Sequence, residues 1–174
     1  IAVEFVDGDR LSTVHDELSV PTVRTLIEDT ADALRNAALY NTTHRSLSPE
    51  TLWLVETEDD LEPRLDDWGL ERACHVAAGD TPTTPYTAPE LQDDPEMRSE
   101  QADVYSLGAV TYYALAGHPP SGPTTPDGTG PVPVSTATDH ADIDETVDEV
   151  LQTALANEPA DRYASAYAFQ TAIT

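Results

Sequence analysis

Lysine is absent from the 174 residues: all 8 basic side chains are arginine, set against 33 acidic ones. The formal charge of −25 argues against nucleic acid and against direct membrane binding, because both need clustered positive charge. Cysteine occurs once, at Cys74, which excludes an internal disulfide and a thiolate metal site; a small buried hydrophobe is its expected role. Long apolar runs are missing too. The longest, Leu107 to Ala116, is interrupted by Gly108, Thr111 and two tyrosines and is too short to span a bilayer. No signal peptide is visible, and a cytoplasmic location is the expectation. The chain begins at Ile1 and not at methionine, so we expect a piece of a longer protein. His15, His75, His118 and His140 have no metal-site spacing, and no acidic run has the D-x-D-x-D-G form of a calcium loop.

What is present is acid interleaved with apolar residues in periodic segments, which is the pattern of a folded surface and not of an acidic tail. A surface dense in Asp and Glu and free of lysine stays hydrated in molar salt, where self-repulsion is screened; a halophilic source is expected. The length suits one domain, residues 1–174, with a sizeable core.

Ile1 to Val6 reads as a strand ending in the turn Asp7-Gly8-Asp9. Pro21 opens a helix in which Val23, Leu26, Ile27, Leu34 and Ala38 share one face. Two short strands, Thr51 to Val55 and a second near Pro63 to Leu65, flank the acidic stretch Glu56 to Glu62 as a hairpin. Leu70 to Glu90, with Pro82, Pro85 and Pro89, reads as irregular surface chain. Ala102 to Ala116 is apolar all round and predicts a helix buried at the centre, capped by Gly117. A long loop rich in proline and glycine, Gly117 to Pro133, precedes helices over Asp144 to Ala156 and Ala164 to Ile173.

Three signatures stand in order: His44-Arg45-Ser46-Leu47-Ser48-Pro49-Glu50-Thr51, then Asp67-Trp68-Gly69, then Ala88-Pro89-Glu90. Asp103-Val-Tyr-Ser-Leu-Gly108 and Asp161-Arg162 follow. Together they resemble the C-terminal lobe of the eukaryotic-type Ser/Thr protein kinases, whose catalytic loop reads H-R-D-L-K-P-E-N, followed by D-F-G and A-P-E. The resemblance implies a mainly α-helical, kinase-like C-lobe with a central buried helix and a small β-hairpin. The N-lobe of the α+β kinase fold is expected to lie outside this chain, which would start at the last N-lobe strand and hinge, residues 1–10. It further implies that Arg162 pairs with Glu90, that Asp103 accepts backbone hydrogen bonds from the catalytic loop, and that His44 stacks on Trp68. His44, Arg45, Trp68, Glu90, Asp103 and Arg162 are the structural residues carried over.

The chemical half of the motif is altered. Phosphoryl transfer rests on positioning and charge neutralisation. The proton-accepting carboxylate is replaced by Ser46, the phosphate-contacting lysine by Ser48, and the metal-holding asparagine by Thr51. Only Asp67, beside Asp66, remains as a candidate metal ligand. The hinge residues Glu4 and Val6 would border an adenine, with Trp53 at the pocket floor. An indole there either stacks on a purine or fills the space; filling is the favoured reading, and a Trp53 turned into the core is the alternative.

The resemblance thus implies a pseudokinase, acting in signalling as a regulatory or protein-binding module with a protein partner and without phosphoryl transfer, and the acidic, lysine-free composition points to a haloarchaeal source. No cofactor is expected, with weak ATP and magnesium binding through Asp67 as the reserve. The alternative is a noncanonical active Ser/Thr kinase, or an ATP-binding switch, completed by an upstream N-lobe, with Asp66 standing in for the base. Thr81, Thr83 and Thr84 are equally placed as regulatory phosphosites.

Overall fold

The computed structural model describes residues 5–58, 61–80, 83–125, 129–138, 143 and 145–173. The longest helix, α2 (Val20–Ala38), follows the two short elements β1 (Asp9–Arg10) and α1 (Leu11–Val14). Ser19 Oγ accepts the Thr22 amide at 3.2 Å, satisfying one of the orphan donors of the first turn, and Pro21 sits where a missing N–H costs nothing. Its stripe of Val23, Leu26, Ile27, Ala31 and Leu34 is buried.

That stripe packs on α5 (Glu100–Ala116), which also meets α7 (Glu145–Ala154) and α8 (Ala166–Ile173). α5 is buried along almost its whole length, as its lack of a polar face dictates. Thr111 Oγ1 is satisfied within the helix, donating to the Leu107 carbonyl at 2.8 Å, and Ser106 Oγ lies 3.1 Å from that of Ala102. Gly108 allows α7 to pass close by, since a Cβ there would lie 2.8 Å from that of Ala154. Gly117 ends α5 in the left-handed region.

A three-stranded antiparallel sheet, β1–β2–β3, lies against this bundle, with β2 at Leu52–Glu56 and β3 at Leu61–Leu65. Alternation along β2 buries Leu52 and Leu54 in the core and turns Trp53 to the other face, between Arg10 on β1 and Arg64 on β3. Pro63 is tolerated because β3 is an edge strand. The remaining helices are short: α3 (Leu70–Ala77), α4 (Glu90–Asp93) and α6 (Val134–Ala137). Among the described residues, no helix is long and apolar enough to cross a membrane.

Four sequence expectations are corrected. Residues 70–77, read as irregular, form the helix α3, because the prolines cluster only from Pro82 onward. Cys74 is exposed on the solvent side of that helix and not buried. The N-terminal strand is Asp9–Arg10, where the turn was expected; Phe5 is exposed and Val6 half-buried, both outside any strand, and Ile1 to Glu4 lie outside the described residues. The hairpin's second strand begins at Leu61, two residues before the expected start.

Candidate functional site

The site is organised from the first turn of α5. Asp103 is buried, and its carboxylate accepts the backbone amides of His44 and Arg45 at 2.8 Å each. Burial pushes its pKa up to about 6, against the opposing pull of those two N–H groups and of the Arg45 guanidinium. Arg45 adopts φ 63°, a turn held by that clamp. His44 is fully buried, and its ring stacks on Trp68 at 4.8 Å between centroids. Neither ring nitrogen closes a hydrogen bond of good geometry. Burial drives the ring's pKa down to about 4, opposed by the Asp67 carboxylate and the Asp66 backbone.

The segment after β3 is strained. Asp67 (φ 72°), Trp68 (φ 44°) and Gly69 (φ 75°) are three successive left-handed residues, an arrangement that costs about 1–2 kcal/mol per non-glycine residue. Only glycine fits at 69, where a Cβ would stand 3.0 Å from Arg45 Nη2 and 3.1 Å from the His44 carbonyl. Ser46 holds the turn from across the loop. Its hydroxyl donates to Asp67 Oδ2 at 2.5 Å and accepts the Gly69 amide at 3.1 Å. The second oxygen, Asp67 Oδ1, accepts the Glu71 amide at 2.7 Å and so caps α3. Asp66 Oδ1 accepts the Asp67 amide at 2.6 Å.

The other altered positions are turned inward as well. Thr51 Oγ1 lies 3.2 Å from the Ser46 and Ser48 carbonyls and accepts the Ser48 amide at 3.0 Å. Ser48 Oγ accepts the Glu50 amide at 3.3 Å. Among the described residues no group of three or more His, Cys, Asp or Glu could hold a metal ion, and the oxygens of Asp67 and Thr51 are engaged by the protein.

Trp53 has its ring under the Arg10 guanidinium, 4.9 Å from the centroid, and Arg10 is fixed by an ion pair with Glu50 at 2.9 Å. The indole Nε1 is buried without an acceptor. Trp53 therefore does not enter the core beside Leu52 and Leu54. Val6 lies half-buried in coil, and Glu4 lies outside the described residues.

From α3 onward the chain is tied down by arginines. Arg72 is buried and donates to the Leu91 carbonyl at 2.5 Å and the Pro95 carbonyl at 3.2 Å. Arg162 Nη1 and Nη2 donate to the two Glu90 oxygens, both at 2.8 Å. Ser106 Oγ donates to the Tyr86 carbonyl at 2.8 Å. Between this segment and the loop lies a recess of about 220 Å³ bordered by Arg45, Ser46, Ser48, Thr51, Arg72 and Tyr86. Thr83 and Thr84 are exposed, and Thr81 lies outside the described residues.

Reading the sequence alone missed Arg10, Arg72 and the capping role of Asp67. For Asp67 a signal existed, an acidic residue just ahead of Leu-Glu-Arg-Ala; for the arginines only the cross-strand register and tertiary carbonyls identify them.

A protein-family model described as "Protein kinase domain" matches residues 1–172. The Ser/Thr protein kinase PknB of Mycolicibacterium smegmatis is 30% identical over 183 residues, covering 95% of this chain and 28% of the relative. Pkn1 of Myxococcus xanthus is 30% identical over 196 residues, covering 99% and 27%. The chain thus spans little more than a quarter of the length of these curated relatives. Among solved structures, the PknI kinase domain of Mycobacterium tuberculosis superposes with a TM-score of 0.75 at 26% identity, covering 98% of this chain and 63% of that one. With its ordered motifs, its fold and a family match over nearly the whole chain, this protein belongs to the protein kinase domain family.

Proposed function

We propose that this kinase-family domain is a pseudokinase, a regulatory module that binds a protein partner and does not transfer phosphate. One observation carries the reading. The hydroxyl that replaces the proton-accepting carboxylate, Ser46 Oγ, donates to Asp67 at 2.5 Å, while the other Asp67 oxygen caps α3. The residue that would hold a metal is thereby joined to the residue that would activate a substrate hydroxyl, and neither is left to act on a ligand. A serine hydroxyl is also no general base at neutral pH, where a carboxylate would be. The scaffold around this loop is complete: Asp103 clamps it, and Arg162 with Glu90 anchors the segment that follows. Such a fold offers a fixed surface, built from residues 83–98, to a protein partner. The test is phosphotransfer from Mg-ATP by the full-length protein, to itself and to a generic basic protein. No labelled product above an Asp67→Asn control is expected; turnover that depends on Asp67 overturns the reading.

A further inference from the structure

The strained turn at 67–69 leads to an inference about what Ser46 does, as distinct from what its replacement removed. Three successive left-handed residues persist only when their surroundings over-determine them. Here the determinants are few and can be named. The His44–Trp68 stack holds the middle residue, and Trp68 Nε1 donates to the Leu65 carbonyl at 3.2 Å. The first and last residues of the turn share one atom, Ser46 Oγ, which donates to Asp67 and accepts from Gly69. The Asp67 carboxylate, held in that orientation, is the N-terminal cap of α3, whose N-cap residue, Gly69, has no side chain of its own to offer. A chain of two hydrogen bonds therefore runs from the loop, through a carboxylate, into the helix.

We propose that Ser46 is a positioning residue that locks Asp67 onto the N-terminus of α3 and so withholds it from divalent cations. The lock suits a hydroxyl specifically. It needs one atom that donates to a carboxylate and accepts from an amide, which serine supplies and an ionised aspartate does not. Loss of the hydroxyl removes one hydrogen bond at each end of the turn and leaves the Asp66 Oδ1 bond to the Asp67 amide at 2.6 Å, so that the Asp67 side chain and the first turn of α3 loosen together while α5, α7 and α8 stay as they are. This deepens the non-catalytic reading of the loop and rests on it.

The experiment is amide hydrogen exchange on the full-length protein and its Ser46→Ala, Ser46→Thr and Asp67→Asn variants, followed by titration with magnesium alone. In Ser46→Ala the amides of Gly69 to Ala73 should exchange about tenfold faster, the scale of one lost hydrogen bond, with α5 unchanged. Ser46→Thr, which keeps the hydroxyl, should retain protection, and a further variant, Asp67→Ala, which removes the cap altogether, should lose it in the same amides. Magnesium should then restore protection in Ser46→Ala but have no effect on the parent or on Ser46→Ala/Asp67→Asn. Unaltered exchange at Gly69 to Ala73 in Ser46→Ala overturns the proposal, and so does loss of protection that extends through α5, since the device is local. Turnover by the parent protein would instead sink the pseudokinase reading, whatever the exchange pattern shows.

Discussion

Arg162 and Glu90 meet fork to fork, two parallel hydrogen bonds of 2.8 Å joining guanidinium to carboxylate across 72 positions of sequence. The same guanidinium donates to the carbonyls of Ala156, Gln101 and Asn157 and lies over the Tyr105 ring at 5.0 Å. Its side chain is wholly buried and that of Glu90 nearly so. Every donor thus has an acceptor, which is the condition under which an ion pair can be held inside a protein. One cation gathers the end of the segment after α3, the start of α5 and the turn before α8.

Removing one partner therefore strands the other. Arg162→Ala and Glu90→Ala should each lower the unfolding free energy by about 3–5 kcal/mol, the range for a broken buried pair. Arg162→Lys should recover little, because an ammonium cannot serve a bidentate carboxylate and three carbonyls at once. Urea denaturation at fixed salt measures all three.

How far residues announce their neighbours differs from element to element. α2, α5, α7 and α8 show in the sequence because their stability comes from their own apolar pattern. α3 does not: its cap is the carboxylate of Asp67 and its anchor is Arg72, bonded to the distant carbonyls of Leu91 and Pro95. At the site, the motif order points to Asp103, Glu90 and Arg162, since their roles depend on side-chain type and position. The hydroxyl of Ser46 is another matter. A sequence tells that a carboxylate is missing there, but the bond to Asp67 exists only because three residues turn left-handed.

Restoring the missing carboxylate should not restore chemistry. In Ser46→Asp two acids would face each other where a 2.5 Å hydrogen bond now stands. Their repulsion at about 4 Å lies between about 1 and 4 kcal/mol for water-like and surface-like dielectrics. We expect a lower unfolding midpoint at pH 7 than the parent's, and no phosphotransfer. A thermal scan at that pH, paired with the transfer assay, decides it.

His44 and Asp103 oppose each other in acid. The buried His44 resists protonation, its pKa of about 4 lying below the ordinary imidazole value of 6.5. The unfolded chain therefore binds the proton first, and stability falls as pH drops from 6.5 towards 4. Asp103, raised to about 6 from 3.8, binds its proton first when folded, so stability rises as pH drops through 6. His44→Phe removes the first effect alone. Relative to the parent, it should gain about 2 kcal/mol between pH 7 and pH 5, from roughly 1.4 kcal/mol per pH unit. An unchanged difference between the two proteins at both pH values would show that His44 is not buried as a neutral ring.

The charge of −25 should make the stability of the fold depend on salt. With 33 acidic residues against 8 arginines, folding concentrates like charge that the open chain spreads out. Raising salt from about 0.1 M to 1 M shortens the screening length from about 10 Å to 3 Å. The urea midpoint should climb steadily over that interval in KCl, the opposite of the trend for a fold held by surface ion pairs. A midpoint indifferent to salt would mean that self-repulsion is not what limits this domain.

Arg10 covers one face of the Trp53 ring, 4.9 Å from its centroid, and is tied to Glu50 at 2.9 Å. Both members of that ion pair are largely exposed, so the tie is weak, within about 0–1 kcal/mol, and the contact of a cation with an indole at such a site adds about 0.5–1 kcal/mol. Together they amount to a factor of roughly ten in any equilibrium that needs the indole uncovered, at about 1.4 kcal/mol per decade. Arg10→Ala should therefore shift the emission of Trp53, separated from that of Trp68 by a Trp68→Phe background. It should also tighten adenosine binding, read as quenching of that emission, by up to about tenfold. Adenosine is the informative probe because it carries no phosphate to be repelled by the acidic surface. If the variant binds it no better than the parent does, the Trp53 face is closed by something other than Arg10.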